Sequence, residues 1–483
     1  MTLKLQAARG LKWQTTEIIS RQLLSLVVFT TLARLLQPSA FGLIGLVGVY
    51  LAFVGIFIDQ GIGTALIQRQ DLEPEHINTA FWFNFSCAVV LCLGTIALAR
   101  PVSMLFKEPR LIPLLRWSSL GLVISASSEI HGTLFVREMD FRRPAIRTIL
   151  SNVAGGIAGL VLACFGCGVW ALIGQQLTTA LAGAIFLWSA SSWRPHFRFS
   201  GRHLKDLLGL GSAVLIPSLL WFFCSQLDQL VIGRFTGATT LGQYVVGGKI
   251  PNLMRTAVQQ PVATVSMPML SRLQQERERM CQVIYKGMEL NAVAAFAIFV
   301  GLASVAPDLV TLAFGVQWQP AIGFVRLLAL YNLLLCLLVF AHPAMLATAG
   351  RKSYIFANSA LAAGAAAACF FGIRIGPHTV VIGLIINLAV VGLAELLLLR
   401  RRMGLSPWLY CRPCLGPAAA SAAMSAVVMT IRMTAGPHLP MPVSLSLQIA
   451  AGAGTYLATL KFIAPHSADN LWSFASTALA RRS

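Results

Sequence analysis

The stretch from Gly247 to Pro261 crowds Lys249, Asn252, Arg255, Thr256, Gln259 and Gln260 into otherwise apolar surroundings. These residues are expected to lie on a single helix. Lys249 and Arg255 then stand about 9 Å apart along the axis. That span suits an extended anionic head group better than a point ion, because a guanidinium offers phosphate a bidentate fork and an ammonium offers a mobile point charge. The alternative use of Lys249 is to snorkel toward an interface. Gln14, Glu17, Arg21 and Ser25 form a second polar stripe, which adds Arg21 as a third substrate-binding cation; an i, i+4 ion pair between Glu17 and Arg21 is its structural use. Ser218, Ser225, Asp228 and Gln229 make a third stripe. Asp59 and Asp228 are the acidic candidates for coupling an ion, both close to helix ends, where packing is the plainer use of an Asp59 that precedes Gly61 and Gly63. Glu395 and Asn387 are further candidates.

Catalytic and metal signatures are missing. No H-E-x-x-H, G-x-S-x-G or Walker A pattern occurs, and Gly247, Gly248 and Lys249 are followed by Ile250 where a phosphate loop needs Ser or Thr. Two C-x-x-C pairs, Cys164 with Cys167 and Cys411 with Cys414, have the spacing of half a zinc site each. They fall at opposite ends of the expected helices, so they read as small residues near helix ends, with a disulfide between Cys164 and Cys167 as the alternative. The expectation is a protein without enzyme activity, cofactor or resident metal.

The elements that must position these residues are membrane helices. Of 483 residues, 57% are hydrophobic and 11% charged, with a mean hydropathy of +0.74, against about a quarter charged in soluble domains. Apolar runs such as 380–399 approach the ~20 residues that cross a ~30 Å hydrocarbon layer. The roughly ten-residue alternating strands of an outer-membrane barrel are lacking. Helices are expected near 11–35, 41–66, 79–99, 112–135, 146–165, 168–190, 209–234, 238–262, 288–306, 321–349, 353–373, 378–399, 413–431 and 442–463, about fourteen in all. The net charge of +20 does not form one soluble basic face, which argues against nucleic acid. With the N-terminus inside, cytoplasmic segments collect about 25 of the 37 Lys and Arg and outer segments about 7. An inner-membrane protein with both termini cytoplasmic follows. No cleavable leader is expected, since the N-terminus lacks a short apolar core with a small-residue site.

An internal repeat stands at an offset of 200: Arg34 to Gly42 (RLLQPSAFG) parallels Arg234 to Gly242 (RFTGATTLG), each closing one helix and opening the next. Six helices separate the copies, so the halves share an orientation, as in parallel transporter repeats. The expected architecture is all-α: a six-helix bundle over 1–205, a second over 206–405, and two additional helices with a cytoplasmic tail over 406–483.

ARLLQPSAFG, DQGIGTALIQRQDL from Asp59, INTAFWFN, LFVREMDFRRPAIR, DQLVIGRFTGATTLGQY and PMLSRLQ, in that order, resemble the Wzx-type polysaccharide exporters of the multidrug, oligosaccharidyl-lipid and polysaccharide (MOP) superfamily, such as those for colanic and teichuronic acid. The resemblance covers roughly residues 10 to 290. It implies a V-shaped pair of six-helix bundles around a cationic cavity, and alternating access on an undecaprenyl-diphosphate-linked oligosaccharide for exopolysaccharide, capsule or O-antigen export. The implied partners are that polyprenyl-diphosphate-linked oligosaccharide, membrane lipids, a polysaccharide polymerase and a chain-length regulator, with no nucleic acid. The rival readings are a multidrug cation antiporter, a peptidoglycan lipid flippase and a non-transporting scaffold of a polysaccharide assembly complex. An antiporter wants acidic groups deep in the bundle, whereas Asp59 and Asp228 sit near helix ends.

Overall fold

A computed structural model describes residues 3–59, 61–69, 71–273, 276–348 and 350–465. The described residues form helices joined by short connections, with no strand among them. In hydrocarbon, only elements that satisfy their own backbone groups can span. The helices are α1 (Leu3–Leu35), α2 (Pro38–Asp59), α3 (Ile62–Gln68), α4 (Pro74–Phe106), α5 (Leu111–Arg137), α6 (Arg142–Cys164), α7 (Val169–Ala190) and α8 (Gly201–Arg272). There follow α9 (Arg277–Phe314), α10 (Ile322–Leu337), α11 (Ala341–Thr348), α12 (Gly350–Gly372), α13 (Pro377–Met403), α14 (Pro407–Cys411), α15 (Leu415–Thr434) and α16 (Met441–Ile463). Eleven spans among the described residues are long and apolar enough to cross a membrane. The 33-residue α1 and the 72-residue α8, which Gly237 divides into two arms, are also long enough to cross by length alone.

Three expected boundaries are corrected. The helix expected over 41–66 ends at Asp59, because Gly61 takes a left-handed φ of 74° and α3 starts afresh. The helix expected over 238–262 continues to Arg272: prolines are tolerated in membrane helices where neighbours satisfy the freed carbonyls. The helix expected over 321–349 is broken between Leu337 and Ala341. Pro343 has no N–H to donate one turn back, at the break.

By contacts the chain divides into Met1–Gly242 and Gln243–Ser483. In the first unit α6 packs on α7 and α1, and α4 on α5. Small residues allow these approaches: Gly156 backs onto Val28, and Gly159 onto Gln175. The first arm of α8 packs on α2 through Gly233 against Leu46 and Phe222 against Phe53, with ring centroids 5.4 Å apart. The repeat is a reciprocal contact. A Cβ on Gly42 would lie 1.7 Å from the Ala238 carbonyl oxygen, and one on Gly242 would lie 1.9 Å from that of Pro38. Residue 42 thus meets 238, and residue 242 meets 38 and its own counterpart 42, beside the Gly237 break (φ 84°) that separates the two arms of α8.

In the second unit α9 is flanked by α10 on one side and by α15 and α16 on the other. The C-terminal pair is fastened to α9 by polar bonds: Tyr456 Oη donates to the Val293 carbonyl at 2.8 Å, Gln448 Nε2 to Asp308 Oδ2 at 2.7 Å, and Arg432 Nε lies 3.4 Å from Asp308 Oδ1.

Candidate functional site: a polar track on the second arm of α8

The second arm of α8 presents Lys249, Asn252, Arg255 and Gln259 in successive turns; Asn252 is exposed and the other three are half-buried. Gly247 and Gly248 precede them for packing reasons. A Cβ on Gly247 would meet the Phe324 side chain at 2.9 Å and the Ala321 carbonyl at 3.2 Å, so the glycines let α10 close on this arm. That approach brings in Asn332, which is fully buried on α10. Its Nδ2 donates to Asn252 Oδ1 at 3.2 Å and to the Leu328 carbonyl at 2.8 Å, and its Oδ1 is buried without a partner. Arg255 Nη1 donates to Gln259 Oε1 at 3.0 Å, while its buried Nε has no acceptor. No salt bridge to Arg255 occurs among the described residues. A guanidinium with an orphaned donor inside an apolar helix layer is a costly arrangement unless an anion completes it.

Arg21, Asp59 and Asp228 belong to the first unit. Arg21 is exposed on α1, and the i, i+4 pair with Glu17 does not form among the described residues. The carboxylates acting on Arg147 of α6 are instead those of Glu17 from α1 and Glu129 from α5. Gly183 of α7 makes room for that guanidinium, since a Cβ there would lie 3.2 Å from Arg147 Nε. Arg147 was legible only as one more basic loop residue, and Asn332 only as a lone amide in an apolar run. Asp228 is half-buried, with Oδ1 accepting the Gln229 N–H at 2.8 Å. Asp59 ends α2, and its side chain lies outside the described residues, as does that of Gln14.

The fold has solved counterparts. A lipid II flippase, MurJ, in an inward closed conformation superposes with a TM-score of 0.75 at 14% identity, over 94% of this chain and 98% of that one. An inward-facing multidrug resistance transporter of the MATE family of the MOP superfamily superposes with a TM-score of 0.61 at 16% identity, over 79% and 94%. The chain is therefore a multi-pass membrane protein with the MOP transporter fold. Among curated relatives, the succinoglycan biosynthesis transport protein ExoT of Rhizobium meliloti is 27% identical over 67% of this chain and 65% of its own length. The lipopolysaccharide biosynthesis protein WzxC of Escherichia coli is 25% identical over 69% and 68%. The teichuronic acid biosynthesis protein TuaB of Bacillus subtilis is 24% identical over 96% and 97%. Residues 31–323 match the family model described as polysaccharide biosynthesis protein, and the chain belongs to that family.

Proposed function

We propose that this protein is a flippase that carries an undecaprenyl-diphosphate-linked oligosaccharide from the cytoplasmic to the periplasmic leaflet by alternating access. The observation that carries the reading is the orphaned Nε of Arg255 on the track with Lys249 and Asn252. A diphosphate supplies acceptors to a bidentate fork and a nearby ammonium in a low-dielectric setting, where each charge-assisted bond is strong. Relatives whose names refer to succinoglycan transport and to lipopolysaccharide biosynthesis support the glycan side of the reading. On this reading Lys249, Asn252, Arg255 and Gln259 receive the head group, and Arg21 of the first unit is a separate candidate for substrate binding. The protein sits in the bacterial inner membrane with both termini cytoplasmic, as two related bundles over 1–205 and 206–405 with 406–483 added, and it works beside a polymerase and chain-length regulator. Asp59 and Asp228 are candidates for the driving ion.

The test is surface glycan in a deletion strain complemented with variants of matched membrane abundance. Lys249→Gln with Arg255→Gln is expected to abolish export, and Arg255→Lys to leave only part of it, since lysine lacks the fork. Normal export by the double variant removes the reading.

A further inference from the structure

The break between α10 and α11 is held by backbone turns and by side chains. Tight turns close part of it, Val339 N to the Cys336 carbonyl at 3.3 Å and Ala341 N to that of Leu338 at 3.0 Å. Asn291 Nδ2 of α9 adds a bond to the Cys336 carbonyl at 2.7 Å, and Tyr410 Oη of α14 donates to that of Leu337 at 2.6 Å. His342, in the first turn of α11, places Nδ1 3.5 Å from the Leu338 carbonyl. Across from the break α13 offers Gly392, whose absent side chain leaves room for Leu338, and one turn later Glu395. Glu395 is only 4% exposed on a helix that otherwise reads as a membrane span. Its Oε1 lies 3.7 Å from His342 Nε2, and its Oε2 is buried with no partner.

From this arrangement we propose that Glu395 and His342 form a proton-binding site that controls the joint between α10 and α11. A carbonyl only accepts, so Nδ1 facing that of Leu338 is the ring nitrogen that carries the proton, and the further proton sits on the Glu395 carboxyl, 3.7 Å from Nε2. The pair is then neutral, a carboxylic acid beside an imidazole. Removing that proton leaves a bare carboxylate on a side chain only 4% exposed, which strongly disfavours it. Release therefore requires α11 to swing and admit water, and the joint allows it, because bonds from side chains exchange without unwinding a helix. His342 is the side chain acting on Glu395 among the described residues. Tyr410 faces the same carboxylate from α14, while Cys281 and Tyr285 of α9 line the surrounding core. Arg400, Arg401 and Arg402 follow on α13 itself, from about 7.5 Å further along the axis. A metal cation fits poorly, since hard ions take several oxygens and this site offers one carboxylate and an imidazole.

Use of the site to drive transport rests on the flippase reading; proton binding does not. Infrared difference spectra of the purified full chain in detergent, taken across pH steps, are expected to show a protonated carboxyl that is absent from Glu395→Gln, returns in Glu395→Asp, and titrates at a different pH in His342→Gln. The proposal is overturned if the Glu395→Gln spectrum matches wild type, or if Na⁺ at constant pH abolishes the carboxyl signal. In the complemented strain, Glu395→Gln that melts like wild type is expected to export at least tenfold less glycan, and export at the wild-type level across external pH overturns the coupling. If the wild-type protein itself fails to restore export, the flippase reading falls while the infrared result still decides the proton site.

Discussion

Gly42→Ala adds one methyl group where the structure leaves no space for it. Its Cβ would stand 1.7 Å from the Ala238 oxygen, 2.5 Å from the carbonyl carbon and 2.9 Å from Cα, and ordinary contact begins near 3.4 Å. All three obstacles are backbone, so no side chain can rotate away, and α2 must part from residue 238 by roughly 1.5 Å. Overpacking of this kind costs about 1–3 kcal/mol or more, against a gain of about 1 kcal/mol from replacing glycine with alanine in a helix. The control lies two turns on in the same helix: Gly48 has nothing within 4 Å of a built Cβ, so Gly48→Ala keeps the propensity gain alone. Melting of detergent-purified protein, followed by loss of the monodisperse peak, is expected to rank Gly48→Ala at or above wild type and Gly42→Ala well below. Gly42→Ala melting with or above Gly48→Ala would refute the crossing geometry. Gly242→Ala is the reciprocal substitution, 1.9 Å from the Pro38 oxygen. Because one separation relieves both contacts, the double variant is expected to lose less than the sum of the singles, as coupled neighbours do.

Tyr410→Phe removes the donor to the Leu337 carbonyl and is expected to cost about 1–2 kcal/mol, read as a lower melting point with the carboxyl titration of Glu395 displaced. Asn332→Leu strips Asn252 of its partner, and its effect on export is expected to be non-additive with Glu395→Gln in a double-mutant cycle; strict additivity would separate α10 from the proton site.

The helical framework was legible because its signal is local: a long apolar run has one stable form in lipid, and an alternation of runs with basic loops fixes the count. The repeat was legible too, and its meaning is the reciprocal contact of Gly42 and Gly242. What the sequence hid depends on partners far along the chain. Glu17 and Arg21 have the spacing of an ion pair, yet the cation that Glu17 acts on is Arg147, contributed by α6. The break at 338–340 was invisible because Leu333 to Ala341 is as apolar as any continuous span, and Tyr410, which bonds the exposed Leu337 carbonyl, comes from a helix 73 residues later. Glu395 read as one acid among several, since nothing in its own helix reveals that His342 faces it.

Two of the orphaned charged groups in the second unit are of opposite kinds, on α8 and α13, and each stands beside one part of the broken α10–α11. Arg255 Nε lacks an acceptor and Glu395 Oε2 lacks a donor, so an anion would complete the former and a proton the latter. Asn332 of α10 holds Asn252 on the cationic track, and His342 of α11 holds Glu395 ten residues later, about 15 Å along a helix. A continuous helix between them would transmit only small elastic shifts. A joint whose carbonyls are bonded to side chains can take two arrangements, which is what a coupling element requires. On the proposed reading, head-group binding at Asn252 and proton loss at Glu395 bias the same joint, and α10 with α11 is the part of the second unit that touches both.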